Sequence, residues 1–205
     1  MTTENAGDND YFKSQVYSAG PEYDYITVSS GGDTGSYFKY VSPSSQSPQY
    51  DKSGNLISDW RWTYTWDAEN RLIKMETQSS AVSAGVPDYT LEFVYDAQSR
   101  RIRKTVKYGS YVYNDWKYVY NGWNLAAELD AKSGDALKRS YLWGLDVSGS
   151  HQGAGGVGGL LMIRKHGSGA SDQLVCYDGN GNITALVNAA TQAISAEYTL
   201  SLIHI

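Results

Sequence analysis

Apolar and polar positions alternate with a period of two over much of this chain. In Trp60 to Trp66 one face carries Trp60, Trp62, Tyr64 and Trp66 and the other Arg61, Thr63 and Thr65, the pattern of a half-buried antiparallel strand. Leu91, Phe93 and Tyr95 repeat it, as do Trp116, Tyr118 and Tyr120. In Arg101 to Tyr108 the second face is cationic, with Arg101, Arg103 and Lys107. Shorter runs at Tyr23 to Val28 and Tyr37 to Val41 predict two further strands, and Pro43 to Pro48 reads as a loop. Residues 1 to 20 are polar and acidic and are expected to be largely unstructured. Only Ala189 to Ala196 has some helical periodicity, and its apolar residues are small.

Between these runs one turn unit recurs. Tyr50 opens YDKSGNL, Trp66 WDAENRL, Tyr95 YDAQSRRI, Tyr120 YNGWNL and Tyr177 YDGNGNI. Each joins an aromatic residue to Asp or Asn, then turn residues, then Asn or Arg, then an aliphatic residue. The Asp carboxylate can accept from backbone N–H groups two residues on, and Gly or Asn takes the left-handed position of a hairpin loop. The separations of 16, 29 and 25 residues between the first four units indicate a degenerate repeat of variable hairpins, not a solenoid of fixed period. Burying one ring removes roughly 150 to 250 Å² from water. At about 25 cal/mol per Å² each ring stabilises by at most roughly 4 to 6 kcal/mol.

Leu142 to Leu161 breaks the pattern, with seven glycines in twenty residues. Gly153 to Gly158 satisfies GxGxxG, but a dinucleotide site needs a helix after the glycines. Leu160 to Lys165 reads instead as a strand, so the glycines are expected to form a crossing loop.

Composition narrows the function. A net charge of -5 and a pI near 5.1 argue against a non-specific nucleic-acid partner, which requires a basic field. No window has the apolar length of a membrane-spanning helix, and the N-terminus has no apolar signal region. The aspartates Asp51, Asp67, Asp96 and Asp178 fall one per hairpin, unlike the ligands of a calcium loop. His151, His166 and His204 are too scattered for a metal or triad signature. Cys176 is expected to be buried, since it lies in an apolar run. No metal or cofactor is implied. The aromatic faces are also compatible with stacking on sugars, though cross-strand packing accounts for them without a ligand.

The unit Tyr50-Asp51-Lys52-Ser53-Gly54-Asn55 resembles the YD repeat of the RHS (rearrangement hotspot) family, and so does Ser58 to Thr77. The glycine-rich run and the following YDGNGNITALV are similar to the start of the RHS repeat-associated core domain. The resemblance implies an all-β fold: an antiparallel meander of YD hairpins, part of a spiralling shell sheet with a glycine-rich crossing loop. It implies four segments, namely residues 1–45 as a weakly assigned, partly disordered N-terminal part, 46–141 as YD hairpins, 142–199 as the start of the core domain, and 200–205 as a non-native tail. The structural residues of the repeat would be Tyr50, Asp51, Gly54, Asn55, Trp66, Asp67, Asn70, Arg71, Tyr95, Asp96, Arg100, Tyr120, Asn121, Tyr177, Asp178, Gly181 and Asn182. Those of the core signature would be Trp143, Gly144, Asp146, Ser148, Gly149, Gly153, Gly155, Gly156, Gly158 and Gly159.

The function this implies is structural and not enzymatic: a wall segment of a shell that encloses and presents a C-terminal toxin in a secreted or surface-associated parent protein. Its partners would be that toxin and the rest of the shell, with surface glycans as partners if the chain is instead a carbohydrate-binding adhesin. A further alternative is a self-cleaving core domain, in which Asp178 could match the first of the family's two aspartates. Ten residues on, where related sequences often carry Asp, stands Asn188, and an amide cannot serve as a general base. The family's Pro-Phe-Gly segment and terminal Asp-Pro-x-Gly-Leu motif are also absent from the sequence. The ending LSLIHI resembles a translated transposon end, so the native frame is expected to be lost near Thr199. An independent reading of the locus that continues LSLIHI into an ordinary core domain would remove that expectation.

Overall fold

The computed structural model describes the backbone of residues 2–6, 9–13, 22–30, 33–41 and 47–198. It is almost entirely β. Strands β1 (Thr2–Ala6) and β2 (Asn9–Lys13) pair as one antiparallel hairpin, and β3 (Glu22–Ser30) and β4 (Asp33–Val41) as another. Residues 1 to 20 were expected to be unstructured, and β1 and β2 correct this. A ladder needs only backbone donors and acceptors, so a polar composition does not reveal it.

The remaining strands form a 13-stranded antiparallel meander in strict sequence order. They are β5 (Gln49–Tyr50), β6 (Leu56–Ser58), β7 (Trp62–Trp66), β8 (Leu72–Thr77), β9 (Tyr89–Tyr95), β10 (Arg101–Tyr108) and β11 (Tyr111–Asn121). After them come β12 (Asn124–Asp130), β13 (Ala136–Trp143), β14 (Leu160–Lys165), β15 (Ser171–Tyr177), β16 (Ile183–Asn188) and β17 (Ile194–Glu197).

The chain divides into two compact units. The first is Met1–Glu92 with Val106–Tyr111. Its buried apolar residues among those described are Val41, Ala81 and Val86, and the Tyr40 hydroxyl donates to the Trp60 carbonyl at 2.7 Å. The expected strand over Trp60 to Trp66 begins only at Trp62, because Asp59 folds the chain before it. The Asp59 carboxylate accepts from the backbone N–H of Arg61 at 2.7 Å and of Trp62 at 2.5 Å, and from the Tyr64 hydroxyl at 2.7 Å. Alternation then holds: Trp62, Tyr64 and Trp66 are half-buried, while Thr63 and Thr65 are exposed. Each ring therefore gains only part of the full-burial estimate. A short helix, α1 (Ser79–Ser83), joins β8 to β9 and buries Ala81 completely.

The second unit is Phe93–Thr105 with Val112–Ile205. Its buried apolar residues among those described are Phe93 and Leu160. The weak helical pattern at Ala189 to Ala196 is a turn followed by β17. Asn188 Oδ1 accepts from the N–H of Ala190 and Thr191, and Gln192 has φ of 61°, a left-handed position that interrupts a helix. Cys176 is exposed, against expectation. In β15 Leu174 and Cys176 are the exposed positions and Val175 and Tyr177 the half-buried ones, so the alternation carries the thiol outward.

Candidate functional site

Four of the five turn units close by one geometry. At Asp67, Oδ1 accepts from the N–H of Glu69 and of Arg71, each at 2.9 Å, and Oδ2 accepts from Arg71 Nε at 2.7 Å. At Asp96 the donors are the N–H of Gln98 and Arg100 and then Arg100 Nε, at 2.9, 2.9 and 2.7 Å. At Asp51 they are the N–H of Ser53 and Asn55 and then Asn55 Nδ2, at 2.8, 2.8 and 2.9 Å. At Asp178 they are the N–H of Asn180 and Asn182 and then Asn182 Nδ2, each at 2.9 Å. The motif's choice of Asn or Arg thus has a physical reason, since an amide or a guanidinium serves Oδ2 equally. The residue before that donor is left-handed in each case: Gly54, Asn70, Ser99 and Gly181.

These donors hold the carboxylates ionised. Asp51 and Asp178 lie below the usual carboxylate range, chiefly through the side-chain amides of Asn55 and Asn182, and Asp67 through the Arg71 backbone N–H. At Asp96 partial desolvation pulls upward and is outweighed by the donors of Arg100. Tyr120-Asn121 departs from this group. Asn121 pairs directly with Asn124 across a two-residue turn with Gly122 at φ of 58°.

The aromatic residues that end the strands act as latches. Trp66 Nε1 donates to the Leu56 carbonyl at 2.8 Å, Tyr120 Oη to Arg101 at 2.9 Å, Trp143 Nε1 to Leu125 at 2.7 Å and Tyr177 Oη to Leu160 at 2.7 Å. Each acceptor lies at or next to the start of the preceding strand. Tyr50 is exposed, and Tyr95 ends β9 just before the Asp96 turn.

The glycine-rich loop between β13 and β14 is wound around Asp146, which is 5% exposed. Oδ1 accepts from the Ser148 N–H at 2.9 Å and the Ser148 hydroxyl at 2.5 Å, and Oδ2 from the N–H of Ala154 at 2.7 Å and Gly156 at 3.2 Å. The Ser148 hydroxyl and these backbone donors together bring the carboxyl down to about 2. Gly149, Gly155, Gly156 and Gly158 have positive φ. A Cβ on Gly156 would also stand 2.6 Å from Asn124 Oδ1 and 3.1 Å from the Trp143 ring. Gly144 and Gly159 pair through backbone at 2.7 Å and bracket the loop, while the Gly153 N–H donates to the Ser150 hydroxyl. Gln152, which sequence reasoning missed, fixes the loop to the Asn121–Asn124 turn. Its amide donates to the Asn121 carbonyl at 2.7 Å and its Oε1 accepts from the Trp123 N–H at 3.1 Å. His151 contributes its carbonyl, which accepts from buried Asn124, and its exposed side chain explains why a polar residue fits there. The strand β14 follows this loop, so no helix N-terminus faces the GxGxxG glycines.

Asp178 and Asn188 are not brought together. The Asp178 turn closes at Asn182, just before β16, whereas Asn188 ends that strand, and Gln173 is the residue facing Asn188. Six residues of strand separate them by roughly 20 Å. The self-cleavage alternative therefore lacks its dyad here.

The register does create one pairing that spacing hides. Ser140 lies opposite Arg164, and two residues on, His166 Nε2 meets Ser140 Oγ at 2.9 Å. An open groove of about 830 Å³ adjoins it, lined by Arg164, Lys165, His166, Asp172 and Asn188 among others. Serine and imidazole at hydrogen-bond distance are the first two parts of a nucleophile–base arrangement. The third part is lacking, because Asp172 gives both oxygens to Arg164 at 2.6 Å. Among the described residues no group of three His, Cys, Asp or Glu is placed to hold a metal ion. His204 and the tail 200–205 lie outside the described residues.

No protein-family model matches the chain. Among curated proteins it is similar to the tRNA3(Ser)-specific nuclease WapA of Bacillus spizizenii, 32% identical over 150 residues, which are 73% of this chain and 5% of that protein. It is also similar to the tRNA nuclease WapA of Bacillus subtilis strain 168 and to the tRNA(Glu)-specific nuclease WapA of Bacillus subtilis subsp. natto. Each of these is 33% identical over 99 residues, 48% of this chain and 4% of the relative. The chain thus spans about a twentieth of the first relative's length or less. Two expectations are corrected. Assignment to the RHS family with its core domain is overturned, since no family model matches and the relatives are named as WapA nucleases. The non-enzymatic reading is overturned because all three relatives are named as nucleases.

Proposed function

We propose that the chain forms a wall segment of a longer nuclease-type protein, one stretch of antiparallel sheet that encloses and presents the nuclease part of the same polypeptide. The observation that carries this reading is the strand order: β5 to β17 each pair only with their neighbours in sequence. Hairpins closed by a self-contained carboxylate clasp can be added one after another, because each turn satisfies its own backbone groups. Continuous pairing leaves few exposed ladder edges, the property that a protective wall requires. The small buried apolar set among the described residues also supports a sheet that gains stability by covering something else. The parent would act outside the producing cell, secreted or at its surface.

Limited proteolysis of the full-length protein tests the reading. Breaking two clasps together, Asp67→Ala with Asp96→Ala, should make the nuclease part cleavable at protease concentrations that leave the unmodified protein intact. A nuclease part equally sensitive in both proteins would remove the wall role.

A further inference from the structure

Most cations in the second unit lie against a carboxylate. Arg100 pairs with Asp96, Arg103 with Asp115, Lys117 with Asp135, Arg139 with Glu128 and Arg164 with Asp172. Arg101 and Lys104 are different. The Arg101 guanidinium lies over Phe93 at 5.4 Å and over Tyr118 at 5.6 Å, from the strands on either side, and Lys104 Nζ lies over Trp116 at 5.5 Å. Neither side chain has a hydrogen bond or an ion pair among the described residues.

A ring face offers no carboxylate oxygen, so the Arg101 N–H donors remain available to the planar, bidentate partner that suits a guanidinium, a carboxylate. The two cations also burden each other, since burial and the Arg101 charge both push the Lys104 ammonium down. Glu128, which faces Tyr118 across the ladder, is paired elsewhere: its two oxygens take Arg139 Nη1 and the Tyr141 hydroxyl, each at 2.7 Å.

We propose that Arg101 and Lys104, with the Tyr118 ring beside Arg101, form a docking site for an acidic polypeptide segment. Charge complementarity selects the partner: two unneutralised cations stand together on a chain of net charge -5. A nucleic acid fits less well. The ring faces on which bases would stack already carry the cations.

The test is fluorescence anisotropy of a labelled oligoglutamate peptide titrated with the whole chain at low salt. Saturable binding is expected, weakened about tenfold by Arg101→Gln and by Lys104→Gln, a loss of one charge-assisted contact. Arg101→Lys should restore part of it, having charge without the fork, and Lys52→Gln on the Asp51 turn of the first unit should change nothing. Peptide-induced shifts of the Trp116 and Tyr118 resonances in the unmodified chain give a readout that does not depend on any variant folding. Absence of binding, binding indifferent to both variants, tighter binding of an oligoribonucleotide of equal charge, or self-association of the chain through these residues in place of peptide binding would each overturn the assignment.

Discussion

The indole of Trp66 donates its Nε1 hydrogen to the carbonyl of Leu56, 2.8 Å away on the preceding strand. The same relation joins Trp143 to Leu125. An aromatic ring at the end of one strand thus closes over the start of the strand before it, adding a directional bond to the apolar contact. Trp143→Phe keeps the ring and removes the donor, so it should lower stability by about 1 kcal/mol. Urea unfolding followed by far-UV circular dichroism measures this, and an unchanged midpoint would show that the latch contributes nothing net.

Glycines at left-handed positions should differ in cost according to what surrounds them. Gly54, with φ of 84°, has nothing within 4 Å of a would-be Cβ. Gly54→Ala should therefore cost only the conformational penalty, about 1 to 2 kcal/mol. Gly156→Ala adds a clash with Asn124 and Trp143 and should cost roughly 1 to 3 kcal/mol more. Equal losses in the two variants would mean that the glycine-rich loop shifts freely.

Gln152 joins the loop to the Asn121–Asn124 turn through two hydrogen bonds. Gln152→Ala should free the Trp123 amide and speed its hydrogen exchange about tenfold, the effect of losing roughly 1.4 kcal/mol of local protection. Amides of β7 and β8 should exchange as before. Uniform acceleration throughout the chain would instead indicate global destabilisation.

The pH dependence follows from the clasps. Asp51, Asp67, Asp96, Asp146 and Asp178 all have folded values below their unfolded ones. Their contribution is complete above the unfolded carboxylate value near 4 and is lost as pH falls through the folded values, to about 2 for Asp146. The Tyr64 and Tyr141 hydroxyls, raised by burial and by Asp59 and Glu128, set the opposite limb. Their contribution is present below the unfolded value near 10 and is lost above it. The urea midpoint should be level between about pH 5 and 9 and should fall on both sides. Asp146→Asn should flatten the acid limb, and a midpoint that rises between pH 4 and 2 would contradict the assignment.

Much of this architecture was legible in the residues. Alternation at Leu91, Phe93 and Tyr95 and the Asp-centred turns depend on neighbours within about five positions, and these the sequence displays. Ser140 with His166, Gln152 with Asn121, and Asn124 beneath Gly156 depend on register across strands, which spacing does not encode. Trp60 was misplaced because the Asp59 turn resembles an uninterrupted alternating run. The exposed thiol of Cys176 follows from strand parity, which local hydrophobicity concealed. The carboxylates of the clasps gave the turns their legibility but spoke only for structure, so the similarity to the WapA nucleases was visible only by comparison with other proteins.

The strict neighbour-to-neighbour order of β5 to β17 has a mechanical corollary. A sheet threaded in sequence order from edge to edge resists a pull on its two chain ends by unzipping, with load borne by one outer strand at a time. It should therefore lengthen in discrete strand-sized steps at low force, and each clasped turn would mark a halt along the way. A single-molecule extension trace with one cooperative rip would rule out this behaviour.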